Sequence, residues 1–366
     1  MSPMSAPHES LLRRIRESGP LPFEQFHAFA LYDPEHGFFT AGPLRSAEAG
    51  DFLTSPEVSP VFGASLAGFV RAERRRRGDP DDFVVVDAGA GSGSLLRSLL
   101  EAEPVTAWAT EVSPAARKSL ASVIPEARIV GSISDLPQHL TGVVIANELL
   151  DNLPVALAVR SGDGWEERWV AATSGRLELV AAPAREVVME WCEEFAGPVA
   201  EGGLVEVQLA ACDWLGAVVD RLSAGAVVAI DYGDTAGRLA SRRPQGTLRT
   251  YRSHHLGPDP LEYPGETDIT VDVNFTALLT IARRAGCGVD LVSQEEFLTG
   301  LGLRDRLREL RYRELELAGS GEELRRLQVR SERIGAETLL HPRGLGDFRV
   351  MVARKEPDAA TATSER

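Results

Sequence analysis

The sequence predicts an α/β fold organised on an open, mostly parallel sheet, and three observations carry that prediction. Phe83–Val86 is a short run of β-branched and aromatic residues, Asp87 closes it, and a glycine loop opens directly onto the amphipathic pattern SLLRSLL. Further short apolar runs at 105–110, 127–130, 143–146 and 226–230 alternate with helical patterns, the succession expected of strand–helix–strand units. Polar residues stand directly after these runs, at the carboxyl ends of strands, where open parallel sheets hold their ligands.

The first of these units suits a polar or anionic ligand. Backbone N–H groups at a helix start have no partner within the helix, and glycines let a ligand come close to the chain. A dinucleotide fingerprint, G-x-G-x-x-G, would need a glycine at position 94, which is Ser94; the third glycine is Gly93. The spacing Asp87-x-Gly89-x-Gly91-x-Gly93 instead resembles the first motif of class I S-adenosylmethionine-dependent methyltransferases. An ordinary glycine turn with no ligand is the alternative reading of the loop taken alone.

Composition narrows the function classes. A chain of 366 residues is long enough to bury a substantial core as one large domain or two smaller ones. The formal net charge of -15 argues against nucleic acid or an anionic membrane as the main partner and leans towards a cationic substrate. Cys192, Cys212 and Cys287 are far apart and show no C-x-x-C spacing, which reads as buried thiols in a reducing compartment, with no metal site. No segment approaches the roughly 20 apolar residues of a membrane span, and the N-terminus lacks a signal core, so a cytoplasmic protein without membrane insertion is expected.

In chain order, residues 9–32 read as two helices, the second starting at Pro22 with Phe23, Phe26 and Phe29 on one face. The aromatic loop Tyr32–Phe39 and the segment Gly50–Glu57 follow, and residues 1–82 are expected to pack as a cap on the domain after them. Val61–Glu73 is a helix. In the sheet, Glu111 follows the second strand about 20 residues beyond the glycine loop, where an acid can bond a ribose diol; Ser113 and Pro114 supply an N-cap and an N1 proline. The loop 131–135, with Ser134 and Asp135, follows the third strand, where an adenine would sit. Asn147, Glu148 and Asp151 follow the fourth, in position to meet a substrate, although Asn and Asp also make turns for their own sake. The runs 155–160, 165–172 and 176–182, separated by SGDG and TSG, form a β-meander insertion over 155–183. A helix precedes the fifth strand, whose exit is Asp231-Tyr232-Gly233-Asp234. Residues 235–274 carry many turn residues and interleaved Tyr251, His254, His255, Tyr263 and Asp268, and read as an ordered lid. Helix 275–285 and strand 289–292 follow; residues 303–334 form a charged helical arm, 347–354 a last strand, and 356–366 a disordered tail.

The blocks LYDPEHGFF, GDFLTSPEVSPVFG, VVDAGAGSGSLL, EVSP, ANELLDNLP, AIDYG, GTLRTYRSHH, PGETDIT and SQEEFL occur in an order that resembles the MidA family of bacterial and mitochondrial methyltransferases. The resemblance implies a class I methyltransferase (Rossmann-like) mixed sheet over 83–355 with a final antiparallel strand, a helical N-terminal cap and a C-terminal helical region. It further implies S-adenosyl-L-methionine as methyl donor and an arginine of a protein as acceptor. Carried onto this chain, Asp87, Gly89, Gly91, Gly93, Glu111, Ser134 and Asp135 would hold the donor, and Thr54, Ser55, Pro56 and Glu57 would fold over it. Asn147, Glu148 and Asp151, with Asp268, would face the acceptor. Ala90, Ser92 and Ser94 stand where the family loop often has Pro, Arg and Thr, and Leu150 where an aromatic residue is common. The implied partners are a protein substrate, a respiratory-complex subunit among the candidates, and a second copy of the chain as a homodimer. Two other readings compete: methylation of a small-molecule hydroxyl or amine, and a non-catalytic assembly factor.

Overall fold

The computed structural model describes residues 5–41, 54–252 and 255–357. Its central sheet has seven strands: β1 (Val84–Ala88), β2 (Thr106–Thr110), β3 (Arg128–Val130), β4 (Leu140–Asn147), β5 (Leu222–Asp231), β6 (Gly288–Ser293) and β7 (Arg349–Lys355). Their order is β6-β7-β5-β4-β1-β2-β3. β5, β4, β1, β2 and β3 are parallel, while β7 runs antiparallel to both β5 and β6. This is the class I methyltransferase sheet with its final antiparallel strand.

Alternation along the strands sends residues to two apolar layers. Val85, Val143, Ile145, Val228 and Ile230 join one, with the helices Val61–Arg76, Ser94–Ala102 and Glu323–Leu339. Val84, Val86, Val144, Val227 and Ala229 join the other, with the helices Leu209–Arg221 and Phe275–Arg284. Burial on both faces is why these strands read as unbroken apolar runs. After β1 the chain moves outward to β2 and β3 and then returns to β4 on the other side of β1. The crevice at that reversal is where a doubly wound sheet binds ligands, and it gathers the exits of β1, β4 and β5.

A second sheet is built from the meander Ala156–Ser161, Gly164–Thr173 and Arg176–Pro183, joined by Leu204–Val207 and, at its edge, Leu21–Pro22. Leu204–Val207 escapes a sequence reading because LVEV carries a glutamate where a buried side chain is needed. Glu206 is buried and accepts the Thr247 and Leu248 N–H groups at 2.6 and 3.1 Å, which tethers the lid. Trp165 and Trp169 lie on this sheet away from the cavity described below.

The N-terminal helices cover the meander sheet and the lid of the domain that follows. Helices Ala6–Ser18 and Phe23–Tyr32 bury Phe23, Phe26, Phe29 and Phe38 against Val155, Leu157 and Val170 at the meander sheet, and against Ile269 and Val271 of the lid. Among the described residues, the helices from Ser55 onward pack on the central-sheet core, Val58 and the helix Val61–Arg76 against it. His27 fixes the arrangement: its Nδ1 accepts the Val155 N–H at 3.3 Å, and its Nε2 therefore carries the proton donated to the Ile269 carbonyl at 3.2 Å. Burial pushes this imidazole down to about 4, so it stays neutral at physiological pH.

The lid is more regular than its sequence suggests. It holds the helix Ala236–Arg242 and a three-stranded sheet of Arg249–Arg252, His255–Leu256 and Asp268–Thr270. Its strands are two to four residues long, too short for a period to show. The C-terminal arm is a pair of helices, Leu303–Glu316 and Glu323–Leu339, joined by Arg306–Glu332 and Arg333–Glu314 ion pairs at 2.9 and 2.8 Å. Gly50–Leu53 of the expected covering segment, His254 of the lid and the tail from 358 lie outside the described residues. Among the described residues no helix is long and apolar enough to cross a membrane, and the three cysteines are buried free thiols.

Candidate active site

One cavity of about 1200 Å³ occupies the crevice. Its lining joins the loop after β1, the start of the loop after β2, the exits of β4 and β5, the segment from Thr54 to Glu57, and lid residues.

On the β1 side the backbone does the shaping. Gly89, Gly91 and Gly93 have φ of +74°, +52° and +79°, the left-handed region that side chains disfavour. A Cβ on Gly89 would also lie 2.9 Å from Leu149 Cδ1. The Gly89 and Ala90 N–H groups donate to the Thr110 carbonyl at 2.9 and 3.1 Å, binding the loop to the end of β2. Glu111 is fixed there by two backbone donors, Gly91 N–H at 3.0 Å and Ser113 N–H at 2.8 Å. Burial, with Glu111 nearby, pushes the Asp87 carboxyl up to about 7, and its buried Oδ2 has no hydrogen-bond partner among the described residues.

Across the cavity, the exits of β4 and β5 bring four acceptor groups together. Asn147 ends β4; its amide donates to Glu148 Oε1 at 3.3 Å and leaves Oδ1 buried without a partner among the described residues. Glu148 has φ of +50°, a conformation that costs a non-glycine residue on the order of 1–2 kcal/mol. Its N–H is bonded to the Ile230 carbonyl at 2.9 Å, and Oε1 also accepts the Ser55 N–H at 3.3 Å. Burial, then the Asp151 carboxylate, push Glu148 up to about 8 against the pull of these donors.

Asp151 is buried, with Oδ2 accepting from the Tyr232 hydroxyl and from Thr270 Oγ1 at 2.8 Å, while Oδ1 has no partner among the described residues. Asp231 ends β5 and receives the Leu150 and Asp151 N–H groups on Oδ2 at 3.0 and 3.3 Å. Burial raises the Asp151 carboxyl, and burial with the Asp151 and Glu148 charges raises Asp231 well above the carboxylate range. Asp268 accepts the Asn152 amide at 2.9 Å. Tyr32, Phe38, Phe39 and Tyr232 wall this half, with Arg249 stacked 4.8 Å from the Tyr232 ring centroid.

Of the residues expected from the sequence, Asp87, Gly89, Gly91, Glu111, Ser134, Thr54, Pro56, Glu57, Asn147, Glu148, Asp151 and Asp268 line this one cavity. Three do not. Gly93 lies behind the loop, where a Cβ would meet Leu120 and Ile124 at 2.7 and 2.8 Å. The Asp135 carboxylate turns back to accept the Ser132 N–H at 2.9 Å, capping its own turn. Ser55 is buried, its hydroxyl on Gln294 Oε1 at 3.4 Å, and it reaches the site only through its N–H on Glu148. The sequence marks Asp231 and Tyr232 only as a strand exit, yet the strand-end rule that selects Glu148 applies to them equally. Tyr32, Thr270 and Arg249 give no local signal. Among the described residues no cluster of His, Cys, Asp or Glu is placed to hold a metal.

A family model of S-adenosyl-L-methionine-dependent methyltransferases matches residues 65–292, from the helix before β1 to β6. The chain belongs to that family. The methyltransferase is 28% identical to a Burkholderia thailandensis protein solved with S-adenosyl-homocysteine bound, with a TM-score of 0.83 over 96% of this chain and 92% of that one. A native crystal structure from the same organism gives 0.80 over 96% and 91%. It is also similar to protein arginine methyltransferase NDUFAF7, mitochondrial, of Xenopus tropicalis, 27% identical over 82% of this chain and 76% of the relative, and of Homo sapiens, 26% over 94% and 82%.

S-adenosyl-L-methionine is the cofactor, and the β1 half of the cavity fits it. The donor's ammonium group would meet Asp87, whose Oδ2 has no hydrogen-bond partner among the described residues, its ribose diol the Glu111 carboxylate, and its adenine the wall at Ile133 and Ser134. The glycine loop supplies the close approach that its methionine end needs.

Proposed function

We propose that this methyltransferase N-methylates an arginine side chain of a protein, in the assembly of a respiratory complex. The observation that carries the reading is the pair of buried acceptor atoms without a hydrogen-bond partner among the described residues, Asn147 Oδ1 and Asp151 Oδ1, in the cavity that also holds the glycine loop. A guanidinium offers five N–H donors in a planar fork and stays charged below about pH 12. An alcohol offers one donor and would leave the acidic half largely unpaired. The names of the curated relatives support the same acceptor.

When bound, the cofactor supplies an electrophilic methyl group on a sulfonium. The chain's residues orient the acceptor and manage its proton. Asp151, held by Tyr232 and Thr270, and the Asn147 carbonyl grip two nitrogens of the guanidinium and draw its charge away from the third. As the N–CH3 bond forms and the S–CH3 bond breaks, that third nitrogen must lose a proton. Glu148 is raised to about 8 in the ligand-free site; the charge of the bound guanidinium favours its carboxylate form, which then receives that proton. Tyr32, Phe38 and Phe39 wall the site against water. The reducing, cytoplasmic setting and a homodimeric state belong to this reading as proposals; the free thiols support the first.

Labelled-methyl transfer to arginine tests it. Glu148→Gln should lower turnover by at least about 100-fold while donor affinity stays within a few-fold. Wild-type turnover by that variant on the acceptor would refute the role of Glu148.

A further inference from the structure

Beyond the acceptor carboxylates the cavity changes sign. Its mouth on the β5–β7 side is lined by Arg242, Arg243 and Arg343. Arg238, Arg242 and Arg349 converge on a single carboxylate, Asp234, at 3.4, 3.4 and 3.2 Å. Asp347, also on this rim, lies 3.8 Å from Arg349. Among the described residues, five guanidiniums thus gather with two rim carboxylates and a third, Glu296, within reach of the Arg349 charge, in a chain whose net charge is -15. A surplus of cations on so acidic a protein does not follow from composition. The Arg238 and Arg242 side chains are 58% and 60% exposed, so an incoming anion can reach them.

The sheet fixes where this rim lies. Asp231 of β5 pairs with Arg349 of β7, so the residues just beyond β5 and just before β7 share one edge with the exits of β1 and β4. Across that edge the donor loop comes first, the acceptor acids next and the arginines last. Strands are about 4.8 Å apart, which puts the rim about 10 Å from the exit of β4. An extended peptide advances about 3.4 Å per residue and covers that distance in about three residues.

We propose that the arginine rim is a subsite for an acidic side chain of the acceptor polypeptide, about three residues from the arginine that is methylated. The inference rests on the arginine-acceptor reading. Guanidinium forks match carboxylates in geometry and charge, and a patch of opposite sign beside the reactive pocket sets the register in which the peptide lies. The acidic interior and the basic rim together would reject a peptide whose charges are reversed.

The test uses fluorescent peptides with a single arginine and either glutamate or lysine three residues before or after it. Binding to the full-length enzyme saturated with S-adenosyl-homocysteine is read by anisotropy, and methyl transfer is read with labelled donor. One of the glutamate peptides should bind about 10-fold more tightly than its lysine counterpart at low salt, with the difference shrinking as salt rises. Arg242→Glu with Arg343→Glu should abolish or invert that preference and leave donor affinity unchanged; Arg243→Ala with Arg343→Ala is the milder pair should the reversal fail to fold. Equal binding of glutamate and lysine peptides, or a preference that both variants retain, overturns the subsite. Citrulline in place of the arginine separates the two readings. If it changes neither binding nor transfer while the glutamate preference persists, the arginine reading fails and the subsite stands. Binding of none of the peptides overturns both.

Discussion

The donor half of the cavity is held in shape by backbone, the acceptor half by buried side chains. Around the glycine loop, positive φ angles and N–H bonds to the Thr110 carbonyl and the Glu111 carboxylate set the surface. Around Glu148, the surface is a set of carboxyls from β4, β5 and the lid, kept apart from solvent and oriented by Ser55, Asn147, Asn152, Tyr232 and Thr270. A backbone cradle is stable with or without ligand. Desolvated acids cost stability that an entering cation relieves, and the acceptor half gathers more of them, Glu148, Asp151 and Asp231, than the donor half, where Asp87 and Glu111 are raised.

That contrast can be broken at several points. Gly89→Val should have the largest effect, on the donor side: φ of +74° and the approach to Leu149 both exclude a branched side chain, and donor affinity measured by calorimetry should fall by more than about 100-fold. Asp151→Asn keeps the shape but weakens the grip on the acceptor. Methyl transfer should drop by about 30- to 100-fold, with donor affinity within a few-fold; a large loss of donor affinity would show that the halves are not separable.

The smallest effect is on stability. Glu148 titrates at about 8 in the folded protein but near its ordinary value when unfolded. Between those values the folded state holds a proton that the unfolded state has lost, so stability declines as pH rises through that window. Glu148→Gln removes this slope, and the ligand-free variant should melt higher than wild type at pH 8 and about equally at pH 5. Equal melting at both pH values would mean that Glu148 is not desolvated.

The same contrast explains what could be read in advance. The donor half is contiguous: Asp87 to Gly93 and Glu111 follow two adjacent strands, so spacing alone brings them together. Asn147, Glu148 and Asp151 were legible for the same reason, standing directly after β4. Tyr32 and Thr270 join them only through tertiary packing over more than 230 positions of sequence, and nothing local marks them, whereas Asp231 and Tyr232 stand at a strand exit that the same rule could have selected. Asp135 misled because an acid after a strand can cap its own turn as readily as meet a ligand. Which surface of the following domain the N-terminal helices cover was not legible, because phenylalanines fit any apolar surface. The chain uses them on the meander sheet, which no pattern in residues 9–41 specifies.

The central claim is that one cavity holds the donor at the glycine loop and a guanidinium at Asn147 and Asp151. Its most direct measurement compares two analogues of the donor, one carrying a tethered guanidine in place of the methyl group and one an isosteric alkyl alcohol. The guanidine compound should bind wild type about 100-fold more tightly, and Asp151→Asn should remove most of that advantage. Equal affinity for the two compounds, or an advantage that survives in Asp151→Asn, would contradict it.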